Sequence, residues 1–361
     1  MLNSRAAGIP AAGAPAWRRA AAGGPLAALR PRPGSNAQRR APWHGARPSA
    51  SVSDAGAAAA PDAPLLRGVC SVLTAAVLLK GAAGALAPAQ LLAASLGPAA
   101  AAGGGAGAVN AALTAVGTSV CWVYAAWLIS LKEALDHGRL GSDTYKRLAL
   151  SLAALSAGLV ALIFRYRGVF EGGPLGPGAV VGLTAASMAV TCWLASGLYQ
   201  IGSGGATPLF DAPEALRQFG ASVRSCLARP ADLYSAYYSY LALSSLVLFA
   251  WLFPTDATPL FPGGLDAAGR FLTRATAAGM WLVGVTAFTL KDAADRGRLG
   301  ASTFKLLNLA LAATIGQQVW FFYSLGSTGV ALSEPLWYGI LGPGVAGAAV
   351  CLTAYLTAKK K

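Results

Sequence analysis

Eight apolar runs of roughly 20 residues follow the first sixty residues of the chain. They lie near 65–87, 108–131, 145–164, 178–199, 232–253, 271–290, 304–325 and 337–358. About 20 residues at ~1.5 Å each cover the ~30 Å hydrocarbon layer, so each run predicts a transmembrane helix. The runs lack a polar helical face, which excludes one soluble core. Between the first two runs, residues 88–107 are uncharged and rich in Ala, Gly and Pro. They predict a loop carrying a short interfacial helix. Between the fourth and fifth runs, Ile201–Ala231 is hydrophilic. Its segment Ala212–Leu227 puts Leu216, Phe219, Val223 and Leu227 on one face, which predicts a short surface helix.

The stretch after the second run repeats. Leu131–Leu150 reads LKEALDHGRLGSDTYKRLAL, and 159 residues later Leu290–Leu309 reads LKDAADRGRLGASTFKLLNL. Twelve of the twenty positions are identical. Trp122 and Trp281 share the same offset, and Leu175–Gly178 reappears as Leu341–Gly344 after a change in loop length. These matches predict an all-α, polytopic membrane protein of about eight transmembrane helices, in two tandem four-helix repeats. An even number of spans per repeat makes the repeats parallel, with their symmetry axis along the membrane normal.

Composition agrees: charged residues are 12% and AVILMFWYC 55% of 361 residues, against about 25% charged in soluble domains. The net charge of +14 is unevenly spread. Residues 1–53 hold eight Arg and no acid, in an Ala-, Pro- and Ser-rich context. That pattern reads as an organelle transit peptide, and plastid fits its Ala/Gly/Pro-rich style better than mitochondrion. A basic arm is also a nucleic-acid binder's signature, but one that precedes a membrane domain points to targeting, so no nucleic-acid partner is expected. The predicted organisation is a disordered transit segment 1–54, a first repeat 55–200, a connector 201–231 and a second repeat 232–361. From Arg67 onward, fifteen basic residues fall with the termini, connector and GRLG loops, and five fall opposite: Lys80, Arg165, Arg167, Arg270 and Arg274. The positive-inside rule puts the fifteen, and both termini, on the stromal side of a plastid membrane, whether inner envelope or thylakoid.

Little catalytic chemistry is present. None of the five Cys forms a CxxC pair, and four sit in apolar runs, so neither a disulfide framework nor a zinc site is expected. With two His, one of them His44 in the transit segment, a haem on paired His has no ligands. No Ser/His/Asp, Cys/His or HExxH arrangement occurs. An enzyme is not expected, nor a cofactor, metal or catalytic residue.

Two groups of residues remain as candidates. The GRLG loops predict tight hairpins: Gly138 ends the second run in a left-handed conformation, and Asp143 and Ser302 are N-cap candidates for the following helix. Glu133 with His137 and Asp292 with Arg296 are favourable i,i+4 pairs. Asp136 and Asp295 sit where the helix dipole opposes an acid, flanked by Lys132 and Arg139, or Lys291 and Arg298. These six residues form either a rigid solvated turn or a stromal docking surface. On the other side, Lys80 lies 13 residues from Arg67, about 20 Å of helix, and Arg274 lies 17 from Lys291, about 25 Å. Both fall short of the ~30 Å layer, so each either snorkels to the surface or lines a basic vestibule with Arg270, Arg165 and Arg167. Ala111 and Ala115 stand at the first-repeat positions of Arg270 and Arg274, which makes such a vestibule one-sided. Asn110, Gln317 and Gln318 join Lys80, Arg270 and Arg274 as a candidate solute path, or else bond helices to one another. The pairs Gly178/Gly182 and Gly344/Ala348 permit close approach and predict contact between the halves.

The stretch LKDAADRGRLGASTFKLLNLA resembles multi-spanning plastid membrane proteins of plants and algae whose molecular role is unassigned. The resemblance covers this loop and its flanking runs. It implies a plastid membrane location and nothing about a substrate. From the residues alone, the leading expectation is a carrier or channel for a small, anionic solute. The alternative is a non-transporting scaffold or assembly factor for a plastid membrane complex. Binding of pigment or lipid between the repeats is a third reading. The lipid bilayer is the first partner in each case.

Overall fold

The structure, a computed structural model, describes residues 63–359 except 103, 174–175, 205–211, 256–260, 262–263 and 328–333. The expected transit segment 1–54 lies outside the described residues. The described chain is all-helical: α1 (Ala63–Leu86), α2 (Pro88–Leu96), α3 (Pro98–Ala102), α4 (Gly104–Ser119), α5 (Cys121–Asp136), α6 (Asp143–Arg165), α7 (Gly176–Gly202), α8 (Ala212–Leu227), α9 (Leu233–Leu252), α10 (Ala267–Asp295), α11 (Ser302–Ser327) and α12 (Glu334–Thr357). A 3-10 turn, Arg167–Phe170, follows α6.

Among the described residues, six helical stretches are long and apolar enough to cross a membrane: Ala63–Leu86, Gly104–Asp136, Asp143–Arg165, Gly178–Gly202, Leu233–Leu252 and Ala267–Asp295. The eight expected runs are all helical, and six of them coincide with these stretches. The α11 helix has the length, yet carries Asn308, Gln317 and Gln318. Of α12, Leu341–Thr357 is an apolar helical segment among the described residues.

Second and sixth spans form the spine. Gly117 of α4 faces Thr276 of α10, Val120 faces Gly279, and Trp127 of α5 donates its indole N–H to Thr286 at 2.8 Å. The two members of each pair are 159 residues apart. Numbering rises together on both sides, so the two spans run parallel and in register. Glycine sets their separation: a Cβ on Gly279 would stand 2.6 Å from Val120 Cγ1. Between helices in lipid, such contact and the Trp127 bond replace the hydrophobic drive of a soluble core.

The other helices flank this spine in a matching order. The α1 helix packs on α5, as α9 packs on α10; α6 pairs with α7, as α11 pairs with α12. The α6 helix leans on α10, and α11 on α4 and α5. The small-residue pairs expected to join the halves do not. Gly178 and Gly182 face open space, and Gly344 packs on Val319 of α11, its own neighbour. Close contact between the halves belongs to Gly117 and Gly279 instead.

The two longest connectors are helical as well. The loop after α1 folds into α2 and α3, with Leu92 and Leu96 of α2 buried beside Ile163, Phe170 and Ala268. The α8 helix has the expected bounds, and it packs along α10. Phe219 stacks on Trp281 at 6.0 Å, and two turns later Cys226 is buried with Ala242, Ala287 and Phe288. The apolar stripe that suggested a surface helix is partly used up in this packing.

Candidate functional site

Three polar regions stand out, and the hairpins form the first. Gly138 and Gly297 both adopt φ +63°, the left-handed conformation that ends α5 and α10. Arg139 N–H then donates to Ala134 O at 2.8 Å, and Arg298 N–H to Ala293 O at 2.7 Å. The α6 helix starts at Asp143 with Ser142 as its cap residue, and α11 starts at Ser302, so the expected caps sit one position inside. Asp292 and Arg296 pair at 2.9 Å, while His137 Nδ1 lies 2.7 Å from the Glu133 carbonyl oxygen. The two hairpins are neighbours: Tyr145 and Thr303 share a hydrogen bond of 3.0 Å.

The two awkward acids each have a partner on the preceding span. Asp136 takes Arg67 of α1 at 2.6 Å, and Asp295 takes Lys291 at 2.5 Å and the Ser235 hydroxyl of α9 at 2.6 Å. Each therefore ties the end of a spine helix to the first turns of the helix packed against it. Lys132 makes no ion pair, and Arg139 and Arg298 are exposed without one among the described residues. The Cys226 thiol, beside this region on α8, has its pKa raised by burial, against the pull of Lys291 and Arg147.

A break in the spine makes the second region. Between α4 and α5, Thr118 Oγ1 donates to the Thr114 carbonyl and Ser119 Oγ to that of Val116. Such back-bonding bends a helix, and carbonyls released in a membrane need donors. The α11 helix supplies them. Thr314 Oγ1 donates to Ser119 O at 2.9 Å, Gln317 Nε2 to Ala115 O at 2.9 Å, and Gln318 Nε2 to Ser119 Oγ at 3.0 Å. Gln317 also accepts the Trp122 indole N–H at 2.7 Å. Gly81 and Gly84 bring α1 against the same break, at Cys121 and Thr118. Thr314, Thr118 and Ser119 were not singled out in the sequence. The signal for Thr118 and Ser119 was a Thr/Ser cluster around Gly117 inside a span.

The third region is the opposite end. Arg274 is only 2% exposed. It donates to the Thr255 and Pro254 carbonyls, both at 3.2 Å, and lies 5.3 Å from the Tyr166 ring centre. Arg270 donates to Leu265 O at 2.9 Å. Asp266 caps α10 by accepting from Gly269 N–H at 2.6 Å and takes the Asn110 amide at 3.2 Å. Nearby, a cavity of about 270 Å³ opens between α1, α2, α4–α5, α6, α7 and α10. Of the six solute-path candidates, Lys80 alone lines it. Asn110, Arg270 and Arg274 gather at the start of α10, and Gln317 and Gln318 sit at the break.

No group of three or more His, Cys, Asp or Glu among the described residues is placed to hold a metal ion. No protein-family model matches this chain, and no curated protein matches it.

Proposed function

We propose that this integral membrane protein is a non-transporting scaffold or assembly factor, built from two parallel four-span repeats in a plastid membrane. One observation carries the scaffold reading. Of the six side chains expected along a solute path, Gln317, Gln318, Asn110 and Arg274 are engaged in bonds to other segments of the chain, at the break and at the start of α10. The 159-residue register of the spine and the matched flanking pairs support the repeat, with α11 and α12 as its last two spans. The Arg-rich, acid-poor first 53 residues support plastid delivery, and the 15-to-5 division of basic residues supports stromal termini. Arg139 and Arg298, exposed on adjacent hairpins, are the contacts offered to an acidic partner.

The test pairs two measurements. The full chain in proteoliposomes should pass no small anion faster than protein-free vesicles. On native gels of its own membrane, Arg139→Glu with Arg298→Glu should shift the chain from a larger complex to its free mobility. Anion flux that disappears in Lys80→Ala would sink the scaffold reading.

A carrier is the second reading, and a specific observation favours it. A discontinuous span beside a cavity with one cation, Lys80, is how several transporters arrange a binding site. The same flux measurement decides between the two.

A further inference from the structure

We propose that the cavity beside the broken span binds a single-chain anionic amphipath, a fatty carboxylate whose tail fills the chamber and whose head meets Lys80. The proposal does not depend on whether the protein is a scaffold or a carrier.

The walls are apolar, with Leu92, Leu113, Leu155, Leu159, Ile163 and Met188 among them. The volume is about 270 Å³. Water there finds few partners, because the wall hydroxyls are already committed. Thr114, Thr118 and Thr184 donate to carbonyls one turn back, and Tyr124 donates to Thr191. The donors left on the wall are the Lys80 ammonium and the Ser95 hydroxyl. No acid lines the cavity, and Lys80 is exposed with no acidic partner among the described residues.

Depth fixes the kind of ligand. Lys80 is 13 residues from Arg67 along α1, about 20 Å into a layer of ~30 Å. An unpaired cation there is costly, and a head group of opposite charge offsets the cost. A dry apolar chamber with a cation at its edge therefore suits one hydrocarbon chain ending in an anion. A neutral chain gains only half of that match, and a compact inorganic anion gains only the other half.

The experiment uses the full chain in nanodiscs with two photoreactive probes, a medium-chain fatty acid and the fatty alcohol of equal length. Labelled peptides are mapped by mass spectrometry. The acid should label α4–α6 about fivefold or more above the alcohol, the scale of a modest ion pair. Lys80→Gln should bring the acid down to the alcohol's level, and Lys80→Arg should restore the difference. Leu159→Trp, which fills the chamber, should remove labelling by both. Equal labelling of the wild-type protein by acid and alcohol would overturn the proposal without recourse to any variant. So would undiminished acid labelling in Lys80→Gln, the result expected if the side chain merely snorkels.

Discussion

The two GRLG hairpins share sequence, glycine φ and backbone closure, yet they neutralise their acids differently. In the first, Asp136 and Arg67 meet at the surface, with side chains 39% and 44% exposed. In the second, Asp295 meets Lys291, whose side chain is 1% exposed, and also accepts from Ser235. Lys132, the counterpart of Lys291, is only half-buried and makes no ion pair among the described residues. The backbone of a turn is a local property, set by a glycine that tolerates positive φ. The partner of a charge is not local. It depends on the helix packed alongside, which carries Arg67 near the start of α1 and Ser235 near the start of α9.

That contrast predicts unequal effects from equal substitutions. Asp295→Ala leaves Lys291 buried without its partner, and should destabilise the protein by about 3 kcal/mol. Asp136→Ala separates two wetted groups, and should cost well under 1 kcal/mol. Thermal unfolding in detergent at fixed pH reads both, and equal shifts would erase the distinction between the hairpins. Next in size is the spine. Gly279→Val drives a side chain into Val120 and should cost about 2 kcal/mol as an overpacked contact, whereas Gly178→Val faces open space and should be near neutral. Trp127→Phe removes the bond to Thr286 and should cost about 1 kcal/mol in the same measurement.

The smallest effect lies on α8, beside the second hairpin. Burial holds the Cys226 thiol protonated beyond its ordinary range. The unfolded chain releases that proton first, so this residue's contribution to stability is present below the ordinary thiol pKa and falls as pH rises past it. Cys226→Ala should flatten that alkaline decline slightly. Alkylation of Cys226 in the folded protein should also begin at higher pH than in the denatured chain, because the thiolate is the reactive form.

Much of this was legible along the chain. Runs of apolar residues announced the helices, because in lipid the backbone must satisfy its own hydrogen bonds. Gly138 and Gly297 announced the hairpins, and the α8 bounds Ala212–Leu227 followed from its apolar stripe. What the glycines joined was not legible. Gly178/Gly182 has the spacing of an interface and lies open, while Gly117 and Gly279 form the close contact. Spacing shows that a helix permits approach, not which neighbour arrives. The break at Val120 was hidden for a related reason: its Thr and Ser hydroxyls are as compatible with a straight helix as with a bent one. Gln317 and Gln318 read equally well as a path or as glue until α11 was seen beside the broken span.

By itself, then, the sequence determined the helical class, the positions of the long apolar helices and the turns between them. These follow from hydropathy and from backbone preferences that act within a few residues. Tertiary structure alone decided where each charge and amide goes: Asp136 to Arg67, Asp295 to Ser235, Gln317 to the Ala115 carbonyl, and Lys80 to the edge of an apolar chamber. Partnership is a matter of distance in space. A chain whose spans are nearly uniform in Ala, Gly and Leu carries few marks of which spans will meet.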